Sequence, residues 1–173
     1  RNTHLPPAGD RALLAEPGHV GATSILTEVY KQSDPERALA VIGDGIKQQS
    51  KDATLKLLEI SVYKAQGDDG AVINGYRDLM EEYPQNLFYH YQLVKFLEGR
   101  DRIDEAEAVL RDIVKTKPEN TQLKLWLAEF LANQRNLQLA ESTLQEFIER
   151  EPTLFELRFA LGKIYEALGE EVE

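Results

Sequence analysis

From Val20 onward the apolar residues recur at steps of three and four, first as Ile25, Leu26 and Val29, then as Ala38, Leu39, Ile42 and Ile46. This is the period of a helix that buries one stripe. Short polar breaks interrupt it. Ser33-Asp34-Pro35-Glu36 reads as a helix start, with Asp34 accepting from orphan amides, Pro35 preset for the first turn and Glu36 suited to the dipole. Gly67-Asp68-Asp69-Gly70 and Gly99-Arg100-Asp101-Arg102 stand at matching places further along. At the next such place Gln134-Arg135-Asn136 lacks glycine, and there asparagine can take the left-handed conformation at smaller cost than most residues. The pattern predicts helices over 20–32, 35–49, 54–65, 70–82, 87–98, 103–116, 121–133, 137–150 and 155–168, and no strand. Gly43, Gly45 and Gly75 fall inside predicted helices, where each costs about 0.5–1 kcal/mol relative to alanine. A close helix contact at each is the expectation, and a kink or an interrupted helix the alternative.

Pro84, Pro118 and Pro152 stand 34 residues apart, and the blocks 53–86, 87–120 and 121–154 overlay without a gap. A fourth block, 19–52, fits in front with Ser50 at the proline's place, and Phe155 begins a fifth. Each block reads as two antiparallel helices, which cannot bury their apolar faces alone and so stack on their neighbours. Residues 1–18, with Pro6, Pro7, Gly9, Pro17 and Gly18, read as an extended leader or linker. The last helix either caps the array, with Glu166, Glu170, Glu171 and Glu173 on or near its wet side, or opens a further unit.

This 34-residue unit resembles the tetratricopeptide repeat. Leu161-Gly162, Tyr165 and Gly169 reproduce that family's Leu-Gly, Tyr and Gly spacing, and Asp104-Glu105-Ala106 and Pro118-Glu119-Asn120 match its second-helix start and closing Pro-x-Asn. Ala38, Ala106 and Ala140 occupy its small-residue place, with Val72 a larger substitute. The chain also departs from the pattern. Where the family carries a bulky residue in the first helix, this sequence has Ala22, Lys56, His90, Lys124 and Arg158, and the preceding Leu55, Tyr89, Leu123 and Leu157 supply the bulk. Leu26, Ile60 and Val94 stand where the family prefers Gly or Ala, which implies wider helix spacing. The fold implied is all-α, a right-handed α-solenoid of antiparallel helix pairs with about four repeats plus a terminal helix.

By the same resemblance, the first helix of each pair lines a concave groove. Its central column is then Thr23, Leu57, Tyr91, Leu125 and Phe159, followed one turn later by Thr27, Ser61, Lys95, Glu129 and Lys163, with Phe88, Gln92, Trp126 and Glu156 toward the rim. Such a ladder could bury an extended or helical peptide. The competing role for these large side chains is core between repeats, and Trp126 suits a core place with its N–H at an edge. The family's grip on a peptide's terminal carboxylate needs Lys and Asn where this chain has Thr23, Thr27, Leu57 and Ser61, so a free C-terminal tail is not the expected ligand there. Lys56, His90, Lys124 and Arg158 share one repeat phase. They either meet acidic side chains of a partner or cover apolar surface with their stems.

Composition narrows the rest. Thirty acidic against 20 basic residues give a net charge of −10, which disfavours nucleic acid and leaves a basic or neutral protein partner open. The absence of cysteine excludes disulfides, thiolate nucleophiles and thiolate metal sites. It leaves the compartment open, cytoplasmic or periplasmic for a soluble chain. No apolar run approaches the ~18–20 residues that cross a bilayer, and a start at Arg1 fits an excised or processed piece. His4, His19 and His90 are scattered, Asp68-Asp69 lacks the ligand spacing of a calcium loop, and no glycine-rich phosphate loop follows a strand. No metal or other cofactor is expected. The function implied is a non-catalytic scaffold that binds a protein or peptide segment. The alternatives are self-association as a homo-oligomer, a subunit of a larger assembly, or the accessory arm of a longer enzyme.

Overall fold

A computed structural model of the chain describes residues 19–49 and 52–169. Ser50, the leader assigned to 1–18, and Glu170, Glu171 and Glu173 lie outside the described residues. Among those described the fold is all-α, with nine helices and no strand. They are α1 (Val20–Tyr30), α2 (Pro35–Gln48), α3 (Ala53–Gln66), α4 (Asp69–Glu82), α5 (Leu87–Glu98), α6 (Ile103–Thr116), α7 (Thr121–Gln134), α8 (Leu137–Arg150) and α9 (Phe155–Leu168). Every predicted helix lies within two residues of these bounds.

The helix starts are phased with the repeat. Asp34, Asp68 and Asn136 accept from the amides of Arg37, Ala71 and Leu139 at 3.1, 2.9 and 2.8 Å, capping the second helices. Asp52, Asn86 and Asn120 accept from Thr54, Phe88 and Leu123 at 2.7, 3.1 and 3.2 Å, capping the first helices. Each such cap satisfies an amide that the helix itself leaves without a partner. Arg102 and Leu154 fall on the same two phases, and neither side chain caps its helix.

Where the backbone turns left-handed, it does so at one repeat phase. Gly67 and Gly169 are left-handed, each at φ 74°, and in the block after Gly67 Asp101 takes that place at φ 57°, whereas Arg135 one block further on is not left-handed, at φ −122°. The expectation for Asn136 is corrected. It is extended, φ −161° and ψ 162°, because its side chain is committed to the Leu139 amide and the N-cap requires extended backbone.

The contacts divide the chain into two compact units after Tyr89, within α5. In the first, α1 packs on α2 and α3, α2 on α3, and α3 on α4. Its core includes Ala38, Ile42, Leu55 and Val62, with Tyr30, Leu39 and Ile46 packed against them. In the second, α6 packs on α7, α7 on α8 and α9, and α8 on α9. Ala128, Leu144 and Leu157 are buried there under Phe147, Leu161 and Ile164. A fully buried leucine contributes about 1.5–3 kcal/mol, so the displaced bulk at Leu55, Leu123 and Leu157, all buried, helps to hold the helix pairs together.

The interior glycines divide into two kinds. A Cβ on Gly75 would meet Ile60 and one on Gly45 would meet Leu55, so close packing holds at both. Nothing lies within 4 Å of a Cβ on Gly43. The close contact expected at Gly43 is absent, and α2 runs through it as unbroken helix.

Candidate functional site

In the first unit the expected column is mostly closed. Thr23 and Thr27 are buried, and the Thr27 hydroxyl donates to the Thr23 carbonyl at 2.8 Å, tying both to α1. They present nothing to a ligand. Leu57 and Ser61 on α3 are half-buried, with the Ser61 hydroxyl donating to the Leu58 carbonyl at 2.7 Å.

The second unit gathers several of the expected residues. Tyr91, Lys95, Trp126 and Glu129 line one cleft of about 200 Å3 between α5 and α7, joined by Glu98, Phe130 and Asn133. The Tyr91 and Trp126 rings lie 5.6 Å apart at 37°, and Tyr91 is 45% exposed. Lys95 forms an ion pair with Glu98 at 2.8 Å and sits 6.0 Å from the Tyr91 ring centroid. Glu98 also accepts from the Gln134 amide at 3.1 Å, which fixes that carboxylate between two helices. The hydrogen bond to Glu98 is the main cause that raises the Lys95 pKa above the ordinary lysine value, and Glu129 adds to it. The cleft therefore has an aromatic wall, a fixed ammonium and a free-standing carboxylate.

Glu98, Phe130 and Asn133 are absent from the expected column. The signal was available, since Glu98 lies one turn beyond Lys95 and Phe130 one turn beyond Trp126, the spacing that brings helix side chains together.

Leu125 is half-buried and packs on the core of the second unit, beside Ala128 and Leu157. Phe159 is exposed, stacked with Phe155 at 6.5 Å and 21°, with the Lys163 ammonium 4.8 Å above its ring. Tyr91 with Lys95 and Phe159 with Lys163 are thus the same aromatic–lysine pair two repeats apart. Phe88 and Glu156 are exposed, and Gln92 is half-buried.

The basic column resolves residue by residue. Lys56 pairs with Glu82 at 2.9 Å in the first unit, and Lys124 with Glu151 at 2.6 Å in the second. In each case a first-helix lysine binds the C-terminal end of the second helix of its own repeat, where the carbonyl-rich terminus also favours a cation. His90 is buried and Arg158 exposed. Among the described residues no group of three or more metal-ligating side chains comes together, and no helix is long and apolar enough to cross a membrane.

Residues 97–153, from the end of α5 to the turn before α9, match the family model described as tetratricopeptide repeat. That stretch carries the tetratricopeptide-repeat pattern. Among solved structures, it is similar to the tetratricopeptide-repeat protein YrrB, described as having an unusual peptide-binding site. That match has a TM-score of 0.52 and 18% identity over 95% of this chain and 85% of that one. A tetratricopeptide-repeat protein from Parabacteroides merdae matches with TM-score 0.53 and 19% identity over 94% of this chain and 65% of that one. A chain of the Naa15/Naa10 assembly bound to HypK-THB matches with TM-score 0.56 and 16% identity over 93% of this chain, which spans 26% of that one. At these identities the likeness is one of fold. No curated protein matches the sequence.

Proposed function

We propose that this tetratricopeptide-repeat chain is a protein-interaction scaffold that holds a partner segment on the first-helix surface of its second unit, with no catalysis of its own. The observation that carries the reading is the cleft at Tyr91 and Trp126, where two aromatic rings form an accessible wall beside Lys95 and Glu129. Exposed aromatics in a shallow cleft recover binding energy when a partner covers them, and the flanking charges select among partners. Leu125 lies on the same helix, and Phe159 and Lys163 supply a second aromatic–lysine pair for a longer segment. Leu57 and Ser61 hold the corresponding places in the first unit. YrrB, similar in fold, is described by its own peptide-binding site.

The test is a peptide library selected on the immobilised chain, with the best peptide then titrated. Tyr91→Ala with Phe159→Ala changes two exposed rings, whereas Leu125 also supports the core, so the first pair separates binding from stability. An affinity loss of at least about tenfold with unchanged helix content is expected. Equal affinity would remove the cleft from the partner site.

A second reading is self-association through α9, favoured by Phe155 at 73% and Phe159 at 58% exposure. Exposed stacked aromatics of this size are surface that a partner normally covers. A mass that rises with concentration in the parent chain, and stays monomeric in Phe155→Ser with Phe159→Ser, is its signature.

A further inference from the structure

A trough of about 310 Å3 lies between α6, α7 and α8 of the second unit, and no residue of the Tyr91–Trp126 cleft lines it. Val114, Leu127 and Phe147 give it an apolar floor. Arg111, Lys115, Lys124 and Arg150 stand around that floor, against two acids, Glu146 and Glu151. This is a local excess of cations in a chain of net charge −10. It is not a property of the repeat, because the matching positions two blocks earlier read Gly43, Lys47, Lys56, Asp78, Glu82 and Tyr83, with the charges balanced.

Lys124 is the decisive residue. Its side chain is only 4% exposed, its ammonium meets Glu151 at 2.6 Å, and the Phe147 ring lies 5.8 Å away. An ammonium carries three donors. Among the described residues Glu151 is the only acceptor that meets it. A buried charge with unused donors is costly unless something entering the trough takes them up. Lys115 and Arg150, exposed at the mouth, have no ion-pair partner among the described residues, while Arg111 pairs outward with Glu107 at 2.7 Å.

We propose that this trough binds a small amphipathic carboxylate. Its oxygens accept from Lys124, Lys115 and Arg150, and a short acyl chain or single aromatic ring lies on Val114, Leu127 and Phe147. The volume sits at the lower end of the roughly 300–1,000 Å3 usual for small-ligand sites, which fits one such group better than a folded partner. The site stands independently of the cleft reading.

Calorimetric titration of the whole chain with 4-phenylbutyrate, 4-phenyl-1-butanol and butyrate tests it. The aryl acid binds, and the alcohol and the short acid each bind at least about tenfold more weakly, because one lacks the charge and the other the apolar body. Lys115→Gln with Arg150→Gln, both surface changes, lowers affinity for the aryl acid by at least about tenfold with an unchanged melting curve. Three results overturn the proposal: no binding of the aryl acid at millimolar concentration, equal binding of the alcohol, or full affinity in the double variant. A short peptide ending in a phenylalanine carboxylate that binds about tenfold more tightly than the free acid would also overturn it, moving the site to a protein C-terminus.

Discussion

A Cβ placed on Gly75 of α4 would stand 2.6 Å from Cγ1 of Ile60 on α3, closer than carbon atoms approach without rearrangement. Ile60 occupies a place where tetratricopeptide repeats prefer a small residue, and Gly75 returns the room that Ile60 takes. Bulk on one helix is balanced by its absence on the next. Gly75→Ala gains about 0.5–1 kcal/mol of helix propensity and loses about 1–3 kcal/mol to overpacking. A net destabilisation of about 1 kcal/mol is expected in urea unfolding. Gly43→Ala is the control, since its Cβ would meet nothing, and it should gain about 0.5–1 kcal/mol. Shifts of the same sign in both variants would mean that the Ile60 contact is not what keeps Gly75 small.

Asp101 holds a left-handed backbone at φ 57° at the repeat phase where Gly67 and Gly169 stand. An L-residue in that region costs roughly 1–2 kcal/mol, less for aspartate than for most. Asp101→Gly relieves the strain and should raise the unfolding free energy by about 0.5 kcal/mol after glycine's larger unfolded-state entropy is counted. A lower melting temperature in that variant would show that the Asp101 side chain contributes more than its backbone costs.

Thr23 is wholly buried, and its hydroxyl has no hydrogen-bond partner. A buried polar group left unsatisfied costs about 1–3 kcal/mol. Valine has nearly the same shape without the hydroxyl, so Thr23→Val should stabilise the chain by about 1 kcal/mol. A destabilised variant, seen as a lower urea midpoint, would show that the hydroxyl is satisfied in solution.

The helices were legible because the apolar period and the polar breaks recur from block to block, and the phased Asp52, Asn86 and Asn120 mark starts that propensity alone would leave vague, although Arg102 and Leu154 cap nothing at the same phases. The two left-handed glycines were legible for the same reason. Asp101 and Asn136 were not, because asparagine and aspartate serve both as N-caps and as left-handed residues, and only the hydrogen bond from Leu139 decides between the two at Asn136. Gly43 and Gly75 look alike in the sequence, and what faces each is set by neighbouring helices. The column through Tyr91 and Lys95 followed from repeat phase. Phase says nothing of how far a side chain is covered, so Thr23 and Tyr91 share a position while one is sealed and the other open. Lys56 and Lys124 share a phase as well, but their carboxylate partners lie at positions that differ by one, Glu82 and Glu151, an offset that an ungapped overlay conceals.

Two glutamates should give the stability profile opposite slopes in acid. At Glu107 burial pushes the pKa up, but hydrogen bonds from Arg111 at 2.7 Å and Arg135 at 2.9 Å, with the charges behind them, outweigh it and leave the group below the usual carboxylate value. The folded state then holds the anion more firmly than the unfolded chain does. Its stabilisation is complete above the unfolded value, about 4.3 for glutamate, and is lost as pH falls through the lower folded value. At Glu59 burial is the chief cause and raises the pKa, with Asp78 adding to it and Lys56 opposing. Here the folded state prefers the proton, so the anion costs stability above the folded value, and the cost fades as pH falls toward the unfolded one. Glu107→Gln should therefore be less stable than the parent at neutral pH and converge with it in acid. Glu59→Gln should be more stable at neutral pH and converge from the other side. Urea midpoints of both variants measured between about pH 3 and pH 7 decide the matter, and differences from the parent of the same sign would show that one of the two environments has been misassigned.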